Sequence, residues 1–255
     1  MKEGQQPRPV RDLRALEKGQ AQILLLIDDS AEGSFSTQIP SLKSFVNSLP
    51  ANTEIAVGYM RNGMTQMASA FTTDHQKAAA SIRLAVGPGG ADVSPYDSVS
   101  DAVKKWPKTD SSTRREVIMI SGGLEGLGGG FIVDNPYVNK GIADAQQAGV
   151  IVYAIYNPSS GRAGHTLWRS TWGQNFLSQL TDGTGGELYT AGFGSSVSFD
   201  SYLKDILERQ NQQYVLSFEA RPEKKSGLQP IRVSFKEKGA GSIAAPSKVF
   251  VKASL

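Results

Sequence analysis

The run Gln22-Ile23-Leu24-Leu25-Leu26-Ile27 is apolar from Ile23 onward and stops abruptly at Asp28-Asp29-Ser30. A strand with one wet face alternates apolar and polar residues, so a continuous run predicts a strand covered on both faces. Glu116 to Ser121 and Val150 to Tyr156 have the same texture, and segments of helical spacing lie between these runs. Ile39, Leu42, Phe45, Val46 and Leu49 share one helix face, and Val99, Ala102, Val103 and Trp106 share another. Strands alternating with helices predict a mostly parallel sheet with helices on both faces and right-handed crossovers. The expected fold class is α/β: a doubly wound three-layer α/β/α sandwich with one antiparallel edge strand, plus C-terminal β strands.

The punctuation supports that reading. A helix over 38–49 ends before Pro50, and Glu54 to Met60 forms the next strand. Asn62-Gly63 is a hairpin signal, so Met64 to Phe71 returns antiparallel. Asp74 caps a helix predicted over 75–86, which ends at Gly87-Pro88-Gly89-Gly90. Helices are predicted over 95–106, 136–148, 174–180 and 199–210, with a short strand over 187–190. The methionines Met60, Met64 and Met67 read as ordinary core. Residues 1–20 read as an arm or irregular strand, 21–212 as the α/β domain, and 213–255 as a β extension with strands at 214–220, 230–236 and 248–253.

Composition narrows the function. Lys and Arg number 27 against 24 Asp and Glu, a net charge of +3 with no dense basic run, which argues against nucleic acid as a partner. The chain has no cysteine, which removes disulfides, thiolate zinc sites and cysteine nucleophiles together. The longest apolar stretch is far too short to span a bilayer. Met1-Lys2-Glu3-Gly4 opens a polar segment with no apolar core, so no signal peptide is expected in the chain as given. His75 and His165 are far apart, no Gly-x-Ser-x-Gly elbow exists, and the glycines at 122, 123, 126, 128, 129 and 130 lack phosphate-loop spacing. No catalytic residue is assigned, and the chain is expected not to be an enzyme.

Ligands of an open parallel sheet sit at the carboxyl ends of its strands, where the strand order reverses. Three segments would meet there: Asp28-Asp29-Ser30-Ala31-Glu32, then Gly89-Gly90-Ala91-Asp92 ahead of Tyr96-Asp97, and Ser121-Gly122-Gly123. In this order they resemble the von Willebrand factor type A (VWA) family, over roughly residues 20 to 220. The stretch Gln213-Tyr214-Val215-Leu216-Ser217-Phe218 with Ile231-Arg232-Val233 resembles a branch common in acidobacterial exported proteins. That branch implies an extracytoplasmic location.

The resemblance also implies a site. In the family a divalent cation, usually magnesium, is held by Asp-x-Ser-x-Ser, a threonine after Gly-Gly, and the aspartate of Ser/Thr-Asp-Gly. Here Asp28 and Ser30 match, but Glu32 replaces the second serine, Ala91 the threonine and Gly122 the aspartate. Two of five donors remain, so the adhesion site is expected to be degenerate and no cofactor is expected. Asp28, Ser30, Glu32 and Asp92 are the residual ligands that would serve a weak magnesium or calcium site rebuilt from carboxylates. The expected function is a binding or adhesion module for a protein or other macromolecule, acting through loops at the carboxyl end of the sheet. Its contact residues are expected to be Asp29, Glu32, Asp92 and Glu125, with Trp168, Arg169 and Trp172 on the long loop after Tyr156. The alternatives are a cation-binding adhesion domain with a rearranged acidic site, and a structural module that assembles through an edge strand or the β extension. The two tryptophans read equally well as a lid folded over the sheet.

Overall fold

The computed structural model describes the chain except residues 5, 18, 32, 88–93, 109–112, 125–133, 161–165, 191–197, 222–224, 237–240 and 254–255. In chain order the elements are β1 (Lys2–Glu3), β2 (Gln6–Pro7), β3 (Val10–Ala15), β4 (Ala21–Asp28), a 3-10 turn (Gly33–Gln38), α1 (Ile39–Ser48), β5 (Glu54–Arg61) and β6 (Met64–Thr72). There follow α2 (His75–Ala80), α3 (Pro95–Lys104), β7 (Arg114–Ser121), α4 (Pro136–Ala148), β8 (Val150–Tyr156), α5 (Leu167–Thr184) and β9 (Leu188–Tyr189). The chain closes with α6 (Asp200–Gln210), β10 (Tyr214–Phe218), β11 (Gly227–Arg232) and β12 (Lys248–Val251).

The main sheet has the order β6-β5-β4-β7-β8-β9, parallel except for the edge strand β6. Its central strand β4 is buried along its whole length, as its unbroken apolar run requires. Ile23, Leu25 and Ile27 face a core shared with α1, α2 and α6, while Leu24 and Leu26 face a second core with α3, α4 and α5. This is the expected three-layer sandwich. The β5–β6 hairpin turns at Asn62 and Gly63, both with positive φ (52° and 65°), the conformation that makes Asn-Gly the preferred pair there. Met60 is core as expected, but Met64 and Met67 are half exposed because β6 is an edge strand.

Two elements differ from their expected bounds for tertiary reasons. The helix expected over 75–86 stops at Ala80, because Tyr59 captures the backbone beyond it. The Tyr59 hydroxyl accepts from the Arg83 amide at 2.7 Å and donates to the Arg83 carbonyl at 3.1 Å. Conversely, the helix expected only over 174–180 extends over Leu167–Thr184, with Thr166 as N-cap and Gly185 (φ 84°) at its end. Trp168, Arg169 and Trp172 therefore lie on a helix, not on a loop. Gly173 and the aromatic and β-branched residues weaken helix propensity in this stretch, and packing overrides it.

Three strands lie within the first twenty residues, and two of them pair with C-terminal strands. β3 pairs antiparallel with β10, and β1 joins a small sheet of order β12-β11-β1-β2. The small sheet is tied to the helical layer where the Ser247 amide donates to the Gly183 carbonyl at 3.0 Å and Gln146 Nε2 donates to the same oxygen at 2.6 Å.

Candidate functional site

β4 lies between β5 and β7, and the chain leaves it toward one side and returns on the other, so the strand order reverses at the β4–β7 boundary. The residues at the two carboxyl ends are Asp28 and Ser121. Their side chains meet: Ser121 Oγ donates to Asp28 Oδ2 at 3.0 Å. Asp28 Oδ1 accepts from Ser30 twice, from its amide at 3.0 Å and its hydroxyl at 2.6 Å. The Ala31 amide closes the turn onto the Asp28 carbonyl at 3.2 Å. Both carboxylate oxygens are thus engaged inside the protein. Burial pushes the Asp28 carboxyl above its usual range, outweighing the hydrogen bonds from Ser30 and Ser121, and neighbouring Asp29 adds to the rise.

Asp29, expected on an exposed acidic rim, is instead completely buried. Arg83 reaches it at 2.7 Å and Arg61 at 3.3 Å, and the Val86 amide donates to it at 3.2 Å. The Arg83 guanidinium also lies 3.8 Å from the centre of the Tyr59 ring. Asp29 therefore fastens the segment after α2 to the end of the sheet. Nothing in the local sequence around Arg83 announces this role, because its partners are 24 and 54 residues away.

The third loop is set by close packing. A Cβ at Gly122 would lie 2.6 Å from the Ser160 carbonyl oxygen, and one at Gly123 (φ 71°) would lie 2.4 Å from the Gly173 carbonyl oxygen. On the other side, a Cβ at Gly173 would lie 2.1 Å from the Gly122 carbonyl oxygen. Two backbones are therefore in contact, α5 against the loop after β7, and the Tyr96 hydroxyl donates to the Gly123 carbonyl at 2.6 Å. Glycine at 122 is required by this approach.

Among the described residues the oxygens converging here come from one carboxylate and two hydroxyls, Asp28, Ser30 and Ser121. No three His, Cys, Asp or Glu side chains among them cluster to hold a metal. Magnesium takes six oxygens, one or two of them from carboxylates and several from water, and calcium takes six to eight. The described side chains supply only part of such a shell. Glu32, Asp92 and Glu125, with Gly89, Gly90 and Ala91, lie outside the described residues. So does His165; His75 Nε2 is 2.8 Å from the Thr53 carbonyl oxygen, at the opposite end of the sheet.

The two tryptophans differ in burial. Trp172 is partly buried against the second core, its ring 5.5 Å from that of Phe176. Trp168 is 59% exposed and meets Trp172 edge-on at 5.8 Å. Arg169 is half-buried, its amide donating to the Thr166 hydroxyl at 3.3 Å. The helix thus carries an anchored aromatic stack whose outermost member faces solvent. It begins at the end of the sheet that carries Asp28, because α5 follows β8 and runs back beside it. Leu167, also exposed, lies next to Trp168.

No family model and no curated protein matches this sequence. Solved structures do match. An aerotolerance-related membrane protein from Bacteroides fragilis, crystallised with multiple mutations to serine, is 12% identical with a TM-score of 0.54, over 76% of this chain and 100% of that one. The VWA domain of SpRpn10 is 14% identical with a TM-score of 0.50, over 72% of this chain and 94% of that one. Proximal thread matrix protein 1 from the mussel byssus, with a zinc-occupied metal-ion-dependent adhesion motif, is 15% identical with a TM-score of 0.50. That match covers 78% of this chain and 48% of the mussel protein, so the chain spans about half of it. At these identities the likeness is one of fold.

Proposed function

We propose that this chain, whose fold is that of a von Willebrand factor type A domain, is a non-enzymatic protein-binding module that works without the divalent cation typical of that fold. The observation that carries the reading is the buried Asp28 carboxylate, which accepts three hydrogen bonds from Ser30 and Ser121, beside a third loop whose Gly122 and Gly123 are packed against backbone. In the cation-dependent logic a partner carboxylate completes the metal shell. Here the contact surface passes to the aromatic end of α5, with Trp168 as anchor and Trp172 and Arg169 supporting it. Glu32, Asp92 and Glu125 belong to the proposal on sequence position, as an acidic rim that favours a basic or polar partner. Asp29 leaves it, being buried and paired with two arginines. No helix among the described residues is long and apolar enough to cross a membrane. An extracytoplasmic location remains part of the proposal through the sequence resemblance.

Two measurements test it. A ligand that binds only the folded state at a hundred times its dissociation constant adds about 2.7 kcal/mol to stability. Chelator-treated protein is expected to show no rise in melting temperature with magnesium, calcium or manganese; a clear rise with any of them would establish a rebuilt cation site and replace this reading by the metal-dependent one. Trp168→Ala is expected to leave the melting temperature nearly unchanged, because the ring is mostly in solvent. The same change should weaken a captured partner by about 2 kcal/mol, roughly thirtyfold, with capture equal in chelator and in magnesium. Capture unaffected by Trp168→Ala places the contact elsewhere.

A further inference from the structure

We infer that the β3–β10 ribbon is a self-association surface, and that two copies of this chain pair antiparallel through β3 about a two-fold axis at Leu13. The surface joins the main sheet at its amino end, through Leu16 to Gln20 before β4 and Asn211 to Gln213 after α6, away from the site at the carboxyl end. Every residue of β3 is exposed, and among the described residues its one strand partner is β10. A two-stranded ribbon by itself is marginally stable in water, and its outer edges present unpaired backbone groups.

The register decides which groups those are. Ala15 lies opposite Tyr214, Arg14 opposite Val215, Leu13 opposite Leu216 and Asp12 opposite Ser217. The Leu16 amide donates to the Gln213 carbonyl at 3.0 Å, so Leu16 is in a hydrogen-bonded pair. Such pairs alternate along an antiparallel ladder, which turns the backbone of Arg14 and Asp12 toward β10 and that of Leu13 and Ala15 outward. A two-fold axis between antiparallel strands passes through the centre of a residue pair, a hydrogen-bonded one where the residue faces outward and a non-hydrogen-bonded one where it faces β10. With the axis at outward-facing Leu13, its amide and carbonyl would exchange bonds with those of the second Leu13.

Charge selects Leu13 among the possible centres. With the axis there, Asp12 of each copy lies opposite Arg14 of the other. Both pairs fall at non-hydrogen-bonded positions, where side chains come closest. Asp12 and Arg14 are exposed, and among the described residues neither has an ion-pair partner. Moving the axis by one residue, the smallest shift that keeps the backbone direction, loses the match: Arg14 would face the second Arg14 with the axis there, and Asp12 the second Asp12 with the axis at Asp12. On the other face, Leu13 (60% exposed) and Tyr214 (62% exposed) lie on one side of the ribbon with Leu216, and the axis brings the two Leu13 side chains together. The charged edge thus rejects most strands and accepts its own antiparallel copy. The pairing leaves the carboxyl-end site of both copies free, giving a bivalent binder.

The test is a charge swap read by sedimentation velocity on the full chain. Wild-type protein is expected to dimerise as concentration rises. Asp12→Arg and Arg14→Asp, each alone, place like charges opposite one another and should weaken the dimer by about tenfold or more. An equimolar mixture of the two variants is expected to form a heterodimer, because one copy then carries two positive and the other two negative charges at the facing positions. The double variant D12R/R14D should dimerise like wild type. Rescue on mixing excludes misfolding as the cause of the single-variant losses. A wild type that stays monomeric at every concentration overturns the inference, as do single variants that dimerise undiminished or a mixture that fails to recover.

Discussion

Replacing Arg114 by methionine is expected to lower the unfolding free energy by about 3–5 kcal/mol near neutral pH, and by less at about pH 5. Arg114 and Glu116 are nearly and completely buried, with Arg114 Nε 3.1 Å from the Glu116 carboxylate. Around them, Arg114 donates to the Gln210 carbonyl at 2.7 Å, and the Gln210 and Gln213 side-chain amides both donate to Glu116. Gln213 Nε2 also lies 3.0 Å from the Tyr153 hydroxyl, so the network joins β7, β8, the end of α6 and the start of β10. Burial already holds the Glu116 carboxyl above its ordinary value of 4.5, against the opposing pull of Arg114 and the two glutamines. Removing Arg114 deletes the largest of those opposing effects and raises it further. The native state then holds a proton that the unfolded state releases, so stability falls as pH rises from the unfolded value through the folded one. The deficit of the variant is therefore greatest at neutral and alkaline pH and shrinks on acidification. Urea unfolding of both proteins at the two pH values checks this. A deficit that is small, or the same at both, shows that Arg114 does not balance Glu116. Because the Gln213 carbonyl anchors Leu16 of the ribbon, the same variant is expected to weaken self-association.

Gly122→Asp reinstates the acidic residue that cation-binding members of this fold carry, and it is expected to fail as a repair. The new Cβ would begin 2.6 Å from the Ser160 carbonyl oxygen and 3.4 Å from that of Asn157. Both neighbours are backbone oxygens, so neither steric relief nor hydrogen bonding to a carboxylate is available without moving the loop. Overpacking of this kind costs about 1–3 kcal/mol, and an added carboxylate beside carbonyl oxygens and buried Asp28 raises that to about 3 kcal/mol or more. The melting temperature of the variant should fall by several degrees and should not recover in magnesium. Recovery in magnesium would mean that the loop yields and that the cation site needs only its missing charge.

The layered architecture is legible in the sequence because burial on both faces leaves a direct trace there. Continuous apolar runs at β4, β7 and β8, short and bounded by turn residues, mark strands covered twice, and helical spacing between them supplies the covers. The Asn62-Gly63 turn and the Pro136 start and Gly149 stop of α4 are equally local, each fixed by the φ its residue permits. Helix bounds are less so. α2 ends early because Tyr59 holds Arg83, and α5 starts early because Thr166 caps it and Gly173 fits the loop at Gly122. Those causes lie in contacts between distant residues.

For the candidate site the division is the same. Sequence alone determined that Asp28, Ser30 and Ser121 stand at the ends of strands, and that alanine and glycine replace two donors of the family pattern, since residue identity fixes which oxygens exist. Tertiary structure alone decided that Ser121 and Ser30 occupy the Asp28 carboxylate, that Asp29 faces two arginines instead of a partner, and that Trp172 anchors the core while Trp168 meets water. It also decided between the arm and the irregular strand open to the first twenty residues, giving β3 an outward edge set by its pairing with β10. The physical reason is one of range: covalent identity and backbone preference act within a few residues. Burial, charge pairing and edge polarity depend on which segments the sheet brings side by side.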